Sequence, residues 1–261
     1  MKASANGIDI RYEISGSGPW VMLSHSLACD LTMWDEQLAS LEERYTVLRY
    51  DTRGHGGSSA PLGPYTLEQL ADDTIALLDT LGVPRTHFVG LSMGGMIAQH
   101  VALKARDRIA SLLLADTTSR YPREALAVWQ ERIRIVSEQG MEPMVQPTLE
   151  RWFTAPYRAS HPHVMERIGG LIRGTSAAGY VGCCHAIPNL NLSGQLGGLD
   201  LPTLVLVGEQ DAGTPVAMAQ EVAAAIPGAR LEIIPNAAHL SNIEQAPTFN
   251  ALLREFLDAQ P

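Results

Sequence analysis

Short apolar runs and stretches with apolar residues three or four positions apart alternate along most of this chain. Residues 20–23, 46–50, 86–89, 109–115, 202–208 and 231–234 are mostly apolar without interruption. Such runs suit strands buried on both faces of a sheet. Residues 8–14 alternate apolar and polar positions, as a strand with one exposed face does, and Gly16-Ser17-Gly18-Pro19 then makes a turn. Helical spacing marks residues 34–44, through Trp34, Leu38 and Leu41, and residues 67–81, which stop at Gly82 with Pro84 beyond. Further helices are expected over 96–105, 216–225 and 247–259. Strands alternating with helices imply a doubly wound, mostly parallel α/β sheet.

The alternation breaks between residues 120 and 195. Two helices are expected there, 124–138 and 163–173, joined by loops containing proline and glycine. This divides the chain into a core, 1–119 and 196–261, and a helical cap, 120–195. The cap is expected over the carboxyl ends of the strands, where open α/β sheets bind ligands.

The candidate chemistry sits at one strand-to-helix junction. Gly90-Leu91-Ser92-Met93-Gly94 follows the run 86–89 and precedes a helix. A G-x-S-x-G in that setting reads as a nucleophile elbow, with small residues at the ends of a sharp turn. A serine nucleophile needs a base titrating near neutrality and an acid to orient it. Of the eight histidines, His239 follows the last strand and precedes the last helix, on the expected edge of the sheet. His87 falls within the elbow strand, His100 on the next helix, and His161, His163 and His185 in the cap. Asp211, just after the strand 202–208, is the favoured acid. Asp116, which ends the strand 109–115, is its rival, and Glu209 a weaker one. The order Ser92, Asp211, His239 is that expected of an α/β-hydrolase. Two backbone N–H groups should bind the developing oxyanion. One is that of Met93, at the start of the elbow helix, and the other that of Leu27, in the loop after residues 20–23. Ser26 suits a third donor or a structural role in that loop equally well.

Other motifs change the picture less. Asp51-Thr52-Arg53-Gly54-His55-Gly56-Gly57-Ser58 reads as a tight turn in which Asp51 and Arg53 satisfy local backbone. The chain has neither a G-x-x-x-x-G-K-[ST] phosphate loop nor an H-E-x-x-H zinc motif. His161-Pro162-His163 is too isolated for a metal site, so no metal or other cofactor is expected. Net charge over the 261 residues is −9, which disfavours nucleic acid as a partner. No apolar run approaches the roughly 18–20 residues of a membrane span, and the first seven residues lack the apolar segment of a signal peptide. Cys29, Cys183 and Cys184 are too few and too clustered for a disulfide framework. A cytoplasmic enzyme acting on a small molecule is expected; the sequence says nothing of oligomeric state.

The whole chain resembles the α/β-hydrolase superfamily, and within it the 3-oxoadipate enol-lactonase-like branch. Leu48-Arg49-Tyr50-Asp51-Thr52-Arg53-Gly54-His55-Gly56 and Gly90-Leu91-Ser92-Met93-Gly94-Gly95 carry the superfamily. Arg151-Trp152-Phe153-Thr154 and His239-Leu240-Ser241-Asn242-Ile243-Glu244 are more particular to the branch. Many relatives have His-Gly where this chain has His25-Ser26. The resemblance implies hydrolysis of an enol-lactone to 3-oxoadipate in aromatic catabolism, through an acyl-enzyme on Ser92. Such a lactone carries a free carboxylate, for which Arg132, Arg134, Arg151 and Arg173 are equal candidates. Trp129 and Trp152 are candidates to line the pocket, Trp129 slightly preferred. The same residues suit a general small-ester carboxylesterase with perhydrolase side activity, or a hydrolase of carbon–carbon bonds in ring-cleavage products. A non-enzymatic ligand receptor is the alternative of another class.

Overall fold

Apolar runs that bury both faces need helices on both sides of the sheet, and the chain supplies them. The computed structural model describes residues 1–260. Among these, eight strands form one sheet: β1 (Lys2–Ala5), β2 (Ile8–Gly16), β3 (Trp20–Ser24), β4 (Thr46–Tyr50), β5 (Thr86–Leu91), β6 (Ile109–Ala115), β7 (Thr203–Gly208) and β8 (Arg230–Ile234). Their order is β1-β2-β4-β3-β5-β6-β7-β8. The first two pairings, β1 with β2 and β2 with β4, are antiparallel, and the rest are parallel. β5, β6 and β7 are buried along nearly their whole length, as their unbroken apolar runs require. β1 has no counterpart among the expected strands. It is a four-residue edge strand, too short to show alternation, closed against β2 by Asn6-Gly7 with φ of 46° and 76°.

Chain order and sheet order part company at β3. From β3 the chain steps outward to β4, then returns past β3 to β5. Loops leaving β3 and β5 therefore diverge to opposite faces and leave a crevice at the carboxyl edge. The helices of the core are α1 (Asp35–Leu41), α2 (Leu67–Thr80) and α3 (Met93–Lys104) before the insertion. A 3-10 turn, Leu31–Trp34, precedes α1.

Between β6 and β7 lie five helices rather than the two expected: α4 (Leu126–Gln139), α5 (Glu142–Trp152), α6 (Ala155–Ser160), α7 (Pro162–Gly174) and α8 (Ala177–Ala186). α4 and α7 occupy the two stretches with clear amphipathic spacing. α5 escaped notice because Pro143 and Pro147 read as breakers. Pro143 falls in the first turn, where its missing N–H costs nothing. α8 has no polar face to reveal it; most of its residues are buried. Its Gly179 lies so close to Gly54 that a Cβ would overlap the Gly54 backbone. The ends of the insertion meet where Leu192 N donates to Ser119 O at 2.7 Å and Tyr121 N to Leu190 O at 3.2 Å. The chain closes with α9 (Val216–Ala225), α10 (Ser241–Glu244) and α11 (Ala246–Asp258). Among the described residues no helix is long and apolar enough to cross a membrane.

Candidate active site

Ser92 sits between β5 and α3 with φ 55° and ψ −116°. That conformation is costly for a residue with a Cβ, by about 1–3 kcal/mol, and its surroundings enforce it. Ser92 N donates to Ala115 O at 2.9 Å, and Thr117 Oγ1 donates to Ser92 O at 2.7 Å. The flanking glycines allow the close approach: a Cβ on Gly90 would overlap Gly94 O, and one on Gly94 would overlap Ser24 O.

The crossover order brings three distant residues into line. His239 Nε2 lies 2.9 Å from Ser92 Oγ, and His239 Nδ1 lies 2.8 Å from Asp211 Oδ2. Asp211 also accepts from Gly213 N, Thr214 N and Thr214 Oγ1, which hold the carboxylate facing the imidazole. All three side chains are buried. Burial alone pushes the His239 imidazole down, but the charge and hydrogen bond of Asp211 outweigh it, and the net direction is up. Asp116 makes no hydrogen bond to His239. It accepts from Gly208 N at 2.8 Å and from Ser241 Oγ at 2.5 Å. Burial first, then the charge of Asp211, pushes its carboxyl up to about 8.

Met93 follows Ser92 directly in the chain, and Leu27 lines the same cavity as Ser92. Met93 begins α3, and the N–H groups that open a helix have no intrahelical acceptor. Neither Met93 N nor Leu27 N donates to another described group, unlike Ala28 N and Cys29 N in the same loop. Two free N–H groups beside a serine hydroxyl suit a tetrahedral oxyanion.

A cavity of about 230 Å³ opens above Ser92. Ser26, Leu27 and His239 line its floor; Trp129, Trp152, Arg132 and Arg151 line its cap side. Both tryptophans are buried, and the Trp152 ring stacks on His239 at 6.3 Å between centroids. The four candidate arginines divide sharply. Arg134 is bound to Glu131 and Glu138, and Arg173 to Glu142, all on the surface. Arg132 and Arg151 have no carboxylate partner among the described residues. Arg132 lies over the Trp129 ring at 4.5 Å. Burial, then the charge of Arg132, pushes the Arg151 guanidinium down from its ordinary value. Tyr121 and Tyr180 line the same cavity.

Residues 19–246 match the family described as alpha/beta hydrolase fold. The chain belongs to the α/β-hydrolase family. It is 39% identical over 249 residues to 3-oxoadipate enol-lactonase 2 of Acinetobacter baylyi, covering 95% of this chain and 92% of that one. The crystal structure of the enol-lactonase from Burkholderia xenovorans superposes with a TM-score of 0.95 at 40% identity, over 99% of this chain and 100% of that one. A malate-bound thermophilic esterase from Thermogutta terrifontis superposes at 0.93 with 32% identity, over 99% and 97% of the two chains. This α/β-hydrolase is thus a hydrolytic enzyme of the enol-lactonase-like kind.

Several residues around this hydrolase's serine escaped the sequence reading. Thr52 N donates to His25 Nε2 at 3.0 Å, so His25 Nδ1 carries the proton and donates to Ser26 O at 2.7 Å. Ala28 N donates to His55 Nε2 at 3.0 Å. These two buried histidines brace the loop that carries Leu27. Burial pushes both down, His55 to about 3, and keeps them neutral acceptors. Arg53 does not satisfy local backbone as expected. It forms a two-pronged ion pair with Asp73 on α2, both nearly fully buried. Asp51 does serve backbone, accepting from Leu31 N and Gly57 N. The clue for His25 and His55 was their place in loops leaving β3 and β4, on the same sheet edge as Ser92.

Proposed function

We propose that this hydrolase opens a small lactone bearing a free carboxylate, through an acyl-enzyme on Ser92. The substrate that fits best is 3-oxoadipate enol-lactone, giving 3-oxoadipate in aromatic catabolism. The observation that carries this reading is the pair Arg132 and Arg151, without carboxylate partners, in the cavity above Ser92. Both guanidinium groups are half-buried; a partly desolvated cation without an anion is costly, and a carboxylate ligand would relieve that cost with charge-assisted hydrogen bonds. The names of the lactonase relatives, and the malate on the esterase relative, agree with a small carboxylate ligand.

In this reading Ser92 Oγ attacks the lactone carbonyl while His239 Nε2 takes its proton. Asp211 holds the imidazole and stabilises its charged form. The N–H groups of Leu27 and Met93 bind the oxyanion. Collapse of the tetrahedral intermediate breaks the ring C–O bond. The oxygen leaves as an enolate, a better leaving group than an alkoxide, and takes the proton held by His239 Nε2, which leaves the imidazole neutral again; the enol then becomes the ketone. His239 then activates water against the acyl-enzyme, and the carboxylic acid is released. Arg132 and Arg151 hold the free carboxylate, and Trp129 and Trp152 line the apolar walls of the cavity.

A general small-ester esterase is the second reading, favoured by the likeness to the thermophilic esterase. A comparison of kcat/KM for the enol-lactone against p-nitrophenyl acetate separates the two. The lactonase reading expects a large preference for the lactone. Equal or better turnover of the simple ester would hand the site to the second reading.

A further inference from the structure

Residues 151–154 and 239–244 lie against each other. Leu240 N donates to Trp152 O at 3.1 Å. Glu244 bridges the same two stretches. Its Oε1 accepts from Thr154 N at 3.0 Å and from Thr154 Oγ1, and its Oε2 accepts from Ala238 N at 2.9 Å. Residues 238 and 240, on either side of His239, are thus both tied to the end of α5 and the cap of α6. The imidazole between them must meet Asp211 at one nitrogen and Ser92 at the other. Trp152 closes over its face.

Glu244 is 6% exposed, and no cation pairs with it among the described residues. A carboxylate is costly to bury and is kept only where its oxygens are fully used. Here one carboxylate reaches donors on two residues in different layers of the molecule, Ala238 in the core and Thr154 in the insertion. An amide offers a single acceptor oxygen and cannot serve both in the same way.

We propose that Glu244 is a positioning residue, which aligns His239 by fastening the backbone beside it to the cap segment 152–154. The proposal rests on the reading of Ser92 and His239 as nucleophile and base. Losing the bridge lets the imidazole drift from its two partners. Misplacement of a reacting group by about 1 Å can cost on the order of a hundredfold in rate. The substrate cavity loses no lining side chain, because Glu244 does not face it.

The test uses the full chain and p-nitrophenyl acetate, a neutral ester that owes nothing to the cap arginines. Active sites are counted with a fluorophosphonate, and melting is followed in parallel. Wild-type turnover that Ser92→Ala leaves intact would defeat the serine reading itself. With Ser92-dependent turnover established, Glu244→Gln should lower kcat per titrated site on the order of tenfold to a hundredfold, with KM within about twofold. Glu244→Ala should lose more, since Gln keeps one acceptor. Thr154→Val, which removes one hydroxyl from the cap side of the bridge, should lower kcat several-fold by the same route, and it decides the matter if the Glu244 variants do not fold. Unchanged kcat per titrated site, with only fewer titratable sites or a lower melting temperature, would overturn the proposal and leave Glu244 a stabilising residue.

Discussion

The sheet edge and the inner face of the cap handle charge in opposite ways. At the sheet edge the protein satisfies its own acids. Asp211 accepts from His239, Gly213 and Thr214; Asp116 from Gly208 and Ser241; Glu244 from Ala238 and Thr154. On the cap's inner face Arg132 and Arg151 share a cavity with no carboxylate among the described residues to meet them. The first arrangement is complete in itself, which is how preorganised dipoles avoid reorganising during reaction. The second is complementary to something the chain does not contain. Under the proposed function, machinery and recognition fall to different regions: the edge to the reaction, the cap to the substrate.

This contrast can be broken most forcefully at the edge. Ser92→Ala should lower kcat on the order of 10⁴–10⁶-fold for lactone and ester alike, without loss of fold. Steady-state rates with circular dichroism check this, and residual turnover near wild type would end the division of labour proposed here.

Asp211→Asn should cost on the order of 10⁴-fold in kcat, because the amide no longer favours the required tautomer and imidazolium. The pH profile of kcat/KM carries a second signature. In the proposed mechanism catalysis needs neutral His239, and its folded pKa lies above the ordinary 6.5. Wild-type activity should therefore fall as pH drops through a limb lying above that value. Removing the Asp211 charge should move what remains of that limb to lower pH.

On the cap side the effects should be smaller and selective. Arg151→Ala should raise KM for the enol-lactone roughly ten- to a hundredfold, the worth of a charge-assisted hydrogen bond of about 1.5–3 kcal/mol. Turnover of p-nitrophenyl acetate should barely change. An equal loss on both substrates would mean that the cap arginine supports the machinery rather than recognition.

The smallest effect is expected at Asp116→Asn. Its carboxyl, pushed above the usual carboxylate range by burial, touches Gly208 and Ser241 rather than His239. An amide resembles it closely, so the barrier should change by less than about 0.7 kcal/mol, roughly threefold in kcat. A loss as large as that of Asp211→Asn would make the two acids partners.

The legible parts share a physical cause. β5, β6 and β7 bury every face, so their apolar runs stand out in the residue order, and the elbow's glycines follow from a turn that only small residues allow. These local constraints made the doubly wound sheet readable and pointed to Ser92 and His239, with Asp211 favoured over Asp116 and Glu209 as the acid. α5 and α8 were not readable. Pro143 and Pro147 mask one, and burial on all sides removes the amphipathic signal from the other. Nor could residue order rank the four candidate arginines, because each is simply a cation on a helix.

Residue order alone thus specified the strands from β2 to β8, the junction at Ser92 and the residue types that could act there. Local sterics and burial write those into the chain one segment at a time. Which acid meets His239, which arginines are left unpaired and what Glu244 joins are relations between residues tens of positions apart. Only the crossover at β3 and the seating of the cap bring them within hydrogen-bond reach.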